Sequence, residues 1–161
     1  MRTNDYAARI INADPLELVV ITYELIDGYL NNALAENEAE NMKYDIFKAR
    51  QFLSELVSSL DIEYDISKEL MSIYIYANKL MVESEIKVNS MKIGEAKEKL
   101  AEAAEILDKL GEGWRAVRSN TNHDENNKSI KNTQQLYVGL TYKGGKLSEF
   151  VDNDNARVYR A

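Results

Sequence analysis

An all-α domain is the fold class this sequence predicts, and three observations carry the prediction. Proline occurs once in 161 residues. Four long stretches contain no helix breaker other than glycine, and their apolar residues recur at steps of three and four. That period lays a stripe along one side of a helix and does not suit a strand. The expected architecture is an antiparallel four-helix bundle with a short N-terminal leader over residues 1–119. A linker and a non-helical C-terminal tail, readable as a β-hairpin, follow over residues 120–161.

The leader, Met1 to Ala13, carries Tyr6, Ile10 and Ile11 and is more apolar than a disordered arm usually is. The first helix spans about Pro15 to Leu34. Asp14 can accept from the free amides of its first turn, Pro15 suits the first helical position, and Glu17 completes a capping-box-like pattern. Its polar arc is thin: Glu17, Glu24, Asp27, Gly28, Asn31 and Asn32. Leu16, Leu18, Val19, Tyr23, Leu25, Ile26, Tyr29 and Leu30 cover the rest, and Val20 and Ile21 intrude into the arc itself.

A polar linker, Ala35 to Asn41, leads to the second helix at about Met42 to Ser59. Its seam of Ile46, Ala49, Leu53, Leu56 and Leu60 is narrow. A turn through Asp61 to Asp65 precedes the third helix, about Ile66 to Val88. Here Ile66, Leu70, Ile73, Ala77 and Leu80 line one flank, and Met71, Tyr74, Ile75, Met81 and Val82 the other. The fourth helix, about Met91 to Val117, has a seam of Ile93, Ala96, Leu100, Ala103, Leu107, Leu110, Trp114 and Val117. Its remaining faces are rich in Lys and Glu, with Glu95–Lys99 and Glu105–Lys109 spaced to support an exposed helix.

The second and fourth helices therefore have apolar surface for one contact each, whereas the first and third have more than one contact needs. Two readings stay open. Both broad helices are central and bury the excess internally, or part of the excess lines a groove for another apolar segment. Met71 and Met81 suit either reading, as core filler or as adaptable surface.

After Ser119 the composition changes. Asn120 to Asn132 is rich in Asn, Asp, Lys and Thr and reads as a linker. In Gln135 to Val151, Leu136, Val138, Leu140 and Tyr142 alternate with Tyr137, Gly139 and Thr141, and Gly144-Gly145 can turn the chain. A lone hairpin is marginal in water, so it must dock on something; a disordered tail is the equal alternative.

Composition narrows the function. With 27 acidic against 20 basic residues the net charge is −7, which repels phosphate backbones and anionic lipid, so neither nucleic acid nor membrane insertion is expected. No apolar run approaches membrane-spanning length and no signal segment opens the chain, so the expected location is the cytoplasm. Cysteine is absent, and with it disulfides and thiolate chemistry. The only histidine, His123, falls in the expected linker, which removes di-iron Glu-x-x-His pairs and a helical general base. Lys143-Gly144-Gly145-Lys146 is too short for a phosphate loop. The sequence points away from an enzyme and calls for no catalytic residue, cofactor or metal.

The leader and first helix, Tyr6…Ile11-Asn12-Ala13-Asp14-Pro15-Leu16-Glu17-Leu18…Tyr23-Glu24, resemble the opening of the flagellar secretion chaperone (FliS) family. Leu60-Asp61 followed by Leu70…Ile73-Tyr74-Ile75-Tyr76…Leu80 is similar to the family's Leu-Asp turn and the helix after it, and Trp114 stands where its last helix closes. Ile62-Glu63-Tyr64-Asp65 departs from the glycine pair common in that turn, and Thr22 stands where leucine is usual.

The resemblance implies a cytoplasmic chaperone that binds the C-terminal segment of flagellin, blocks premature polymerisation and delivers cargo to the flagellar export apparatus. The partner-binding residues this suggests are Tyr6, Ile10 and Ile11 of the leader. Extrapolation from the helical wheels adds Leu18, Ile21, Leu25, Met71, Tyr74, Ile75 and Met81. Two other classes remain open: a bundle that self-associates as a homodimer, and a regulatory adaptor that binds a non-flagellin protein through its tail.

Overall fold

The computed structural model describes residues 3–123 together with Thr141 and Tyr142, with side chains from Asp5 to Asn120 and at those last two. The main elements are α1 (Thr3–Ile11), α2 (Pro15–Ala35), α3 (Ala39–Ser59), α4 (Asp65–Asn89) and α5 (Ile93–His123). No strand occurs among the described residues; Tyr142 forms an isolated antiparallel bridge to Leu60.

The four long helices stand where the apolar periodicity places them, with shifts at their ends. Asp14 caps α2 as expected, its carboxylate accepting the Glu17 N–H at 2.8 Å. The Glu17 side chain does not close the capping box; Arg9 and Arg118 hold its carboxylate instead. The α2–α3 link is shorter than expected because the Glu36 carboxylate accepts the N–H groups of Asn37 and Glu38, so α3 starts at Ala39. The turn after α4 is a Schellman arrangement. The Lys92 N–H reaches the Lys87 carbonyl at 2.9 Å and the Met91 N–H reaches that of Val88 at 3.0 Å, with Met91 at φ 59°. At its far end α5 continues to His123, so His123 ends a helix instead of lying in a linker.

The leader departs from expectation more: it folds as α1. Nine residues are too few for a stable isolated helix in water. Docking on α2 supplies the rest, through the buried Ile10 and through Arg9, whose guanidinium reaches Glu24 at 2.6 Å as well as Glu17.

The long helices pack in a ring: α2 on α3, α3 on α4, α4 on α5, and α5 back on α2. The α3–α4 seam is the sparsest of the four. Between α2 and α5 the approach is close at Gly111, where an added Cβ would meet Tyr23 at 3.4 Å and the Arg115 guanidinium at 3.0 Å. Between α2 and α3, Tyr29 stacks on Phe52 with centroids 6.0 Å apart, and the Lys48 ammonium lies over both rings.

The ring divides the two broad apolar helices. α2 is the hub, and Leu16, Leu18, Val19, Val20, Ile21, Tyr23, Ile26 and Leu30 are all buried. Its excess is spent inside the domain. α4 buries Leu70, Tyr74, Ala77, Leu80, Met81 and Val88 but leaves Ile66, Ile73, Ile75, Tyr76 and Ile86 exposed. The hairpin expected over Gln135 to Val151 lies outside the described residues except for Thr141 and Tyr142, which dock on the ring; there Thr141 is helical and Tyr142 makes only an isolated bridge, not a strand.

Candidate functional site

The sparse seam opens as a cleft of about 260 Å³ lined by Arg50, Leu53, Ser54 and Val57 of α3 and Tyr74, Ile75 and Asn78 of α4. Helical register extends its rim. Phe47, three residues before Arg50 and seven before Ser54, shares their side of α3; Val82 and Ile86, seven and eleven after Ile75, continue its side of α4. Ile75 is 59% exposed, Ile86 57% and Phe47 53%. Arg50 spans the cleft, its Nε donating to Asn78 Oδ1 at 3.1 Å and its Nη1 to Glu85 at 2.9 Å. Leu53, Val57, Tyr74 and Ile75 thus give the cleft an apolar lining, interrupted by Ser54 and crossed by one charge-assisted clasp.

Other concavities differ in chemistry. A cleft of about 390 Å³ at the α2–α3 turn is lined by Asn32, Ala35, Glu36, Asn41, Tyr44 and Asp45, and another is lined by Asp27, Asn31, Ala104, Glu105 and Asp108. Charged and amide side chains make up most of both linings. Burial, reinforced by the Asp108 charge and opposed by Arg115, pushes the Asp27 carboxyl up to about 6.

The other polar cluster fastens α1. Arg9 and Arg118 share Glu17 and Glu24 across α1, α2 and α5. Burial acts to lower the Arg9 pKa, and its hydrogen bonds to Glu24 and Glu17 raise it further than burial lowers it. Tyr6 is half-buried beside this cluster, its phenol pushed up by burial and then by Glu24.

The sequence-suggested contact residues therefore divide. Ile75 lines the cleft, and Met71 is a half-buried neighbour one turn earlier on α4. Tyr74 reaches the cleft from the core, where its hydroxyl meets those of Tyr23 and Tyr142. Ile21 and Met81 are fully interior and Leu18 nearly so, because the broad faces of α2 and α4 turn inward against each other's hairpin partners. Leu25 is half-buried against the core. On α1, Ile10 is buried, Tyr6 packs against the core, and Ile11 is 81% exposed. The wheels missed Phe47, Arg50 and Ile86. Phe47 had a signal: an aromatic residue on the polar side of an otherwise narrow-seamed helix.

Among the described residues no His, Cys, Asp or Glu group is placed to hold a metal, and no helix is long and apolar enough to cross a membrane. Fold and cleft define the class: a helical bundle that presents an apolar cleft. The chain belongs to the FliS family, whose model, described as flagellar protein FliS, matches residues 2–122. Membership places it among flagellar chaperones. The match takes in α1 through nearly all of α5 and excludes Thr141 and Tyr142. No curated protein matches the chain.

Proposed function

We propose that this protein is a cytoplasmic export chaperone, an antiparallel four-helix bundle with α1 laid on it, that holds the C-terminal segment of flagellin in the α3–α4 cleft. Held there, the segment cannot use the same apolar face to polymerise, and the complex is delivered to the export apparatus. The observation that carries the reading is the exposed apolar rim of the cleft, Phe47, Ile75 and Ile86, on a chain of the FliS family. A protein with no such task has reason to place polar residues at those positions.

The physical account needs no nucleotide. A disordered amphipathic segment orders as it binds and typically buries about 1,000–3,000 Å², and apolar burial exceeds the ordering entropy. Release then takes only a competing site or unfolding driven by export. Titration calorimetry with a flagellin C-terminal segment tests the reading. Binding with a clearly negative heat-capacity change supports it. Absence of heat or competition at tens of micromolar, roughly −6 to −7 kcal/mol, overturns it.

A further inference from the structure

A tyrosine from outside the family-matched region sits inside the bundle. Tyr142 is 4% exposed, its hydroxyl lies 2.5 Å from that of Tyr74, and its ring centroid lies 5.8 Å from that of Trp114. Tyr23 completes a chain of three buried phenols through Tyr74. The backbone beside Tyr142 is also held. The Thr141 carbonyl accepts the Asp61 N–H at 2.8 Å and the Ser67 hydroxyl at 3.0 Å, and Tyr142 bridges Leu60 in antiparallel sense.

Two features mark this as recognition of a segment. Every group that forms the pocket belongs to α2, α4, α5 or the α3–α4 turn and lies within residues 2–122, whereas the occupant lies wholly outside that match. The attachment is also specific to one position: the Thr141 carbonyl takes two hydrogen bonds, and the pocket reads the side chain that follows it. The phenols make the pocket selective. A phenylalanine would fill the same volume and remove a hydrogen-bond partner from the buried Tyr74 hydroxyl, a difference of about tenfold in affinity.

We propose that this pocket is a binding site for a segment that carries a tyrosine, with Thr141–Tyr142 as its resting occupant, displaced when a cargo segment of the same chemistry enters. Displacement by cargo rests on the export-chaperone reading; the pocket itself does not. Tethering makes the tail an effective competitor. A segment that binds at about 100 µM in trans and is present at about 1 mM in cis lowers the affinity of a rival for the same pocket about tenfold.

The test uses the full chain with Tyr142→Ala and a synthetic peptide spanning residues 136–147. Trp114, the only tryptophan, is the reporter. The expected result is a helical far-UV spectrum like that of the parent, a red-shifted Trp114 emission, and saturable reversal of that shift by the peptide. A peptide with phenylalanine at position 142 should need about tenfold more. Loss of the helical spectrum would show that Tyr142 is an inseparable part of the core and overturn the proposal. So would a folded variant whose emission the peptide fails to reverse. In parallel, a flagellin C-terminal segment should bind Tyr142→Ala about tenfold more tightly than the parent; equal affinity overturns displacement. A flagellin segment that binds neither protein overturns the export reading, and the peptide titration then still decides the pocket.

Discussion

Removing the apolar rim of the α3–α4 cleft should weaken cargo binding by an amount the exposures set. Fully burying an isoleucine or phenylalanine side chain is worth about 1.5–3 kcal/mol. Ile75 is 59% exposed and Phe47 53%, so each has a little over half of that still to gain when a partner covers it. The expected loss is about 0.9–1.8 kcal/mol for Ile75→Ala and slightly less for Phe47→Ala, or about 5- to 20-fold in Kd each. The double variant should lose about 20- to 300-fold if the two contributions add. Stability supplies the contrast. Both residues lie on the outer rim, so the unfolding free energy from urea titration should change by no more than about 0.5 kcal/mol. Leu53→Ala, on the buried floor between them, should cost about 2–5 kcal/mol of folding free energy. Calorimetric titration of each variant with a flagellin C-terminal segment, beside urea unfolding, reads both quantities. An unchanged Kd for the double variant would refute the assignment of the cargo to this cleft.

Arg9→Ala removes the α1 ends of the ion pairs to Glu17 and Glu24 and should cost about 1–2 kcal/mol of α1 docking. Amide exchange then quickens through Thr3–Ile11 while α2 to α5 keep their protection; unchanged protection of α1 would show that Arg9 does not fasten it. Asp27, 81% shielded at its side chain, has a carboxyl raised from 3.8 to about 6, so between those pH values the folded state keeps a proton the unfolded chain has released. Stability should therefore fall as pH rises through that window, and Asp27→Asn should flatten the fall and stabilise the protein at neutral pH by up to about 2–3 kcal/mol, read from urea midpoints at several pH values. Met91→Gly relieves a left-handed residue at the α4–α5 turn and should add about 0.5–1 kcal/mol; a loss of stability would mean that Met91 contributes contacts its 73% exposure does not suggest.

The parts legible in the sequence were those encoded locally. Asp14-Pro15 fixed the start of α2, and three-and-four spacing gave the four long helices to within three residues at each end except the last, where α5 runs six residues past the expected Val117. The breadth of the apolar faces on α2 and α4 was legible too, but its meaning was not. Which broad helix becomes the hub depends on the neighbours it meets, and the ring buries Ile21 while leaving Ile75 outside. The α1 helix was hidden because nine residues do not stabilise themselves, and its anchor joins Arg9 to Glu17 and Glu24, eight and fifteen positions away. The seat of Tyr142 was further out of reach. Alternation suggests an extended segment, whereas Thr141 is helical, and the contacts of this pair with Leu60, Ser67, Tyr74 and Trp114 bridge separations that no local pattern records.

The ring can also be viewed as two helical hairpins, α2–α3 and α4–α5, joined along one edge and meeting only lightly along the other. The joined edge is where Gly111 lets Tyr23 come close and where Arg118 crosses to Glu17 and Glu24. The light edge is latched in the middle by Arg50 and closed at one end by the α3–α4 turn, where the backbone of Thr141 ties Asp61 of the turn to Ser67 of α4. Such a body is compliant in one direction. Spreading the hairpins stretches a few polar latches and a thin apolar contact, while the hinge keeps its packing. Occupants of different bulk can then be accepted at small cost, with width set by how far the latches yield.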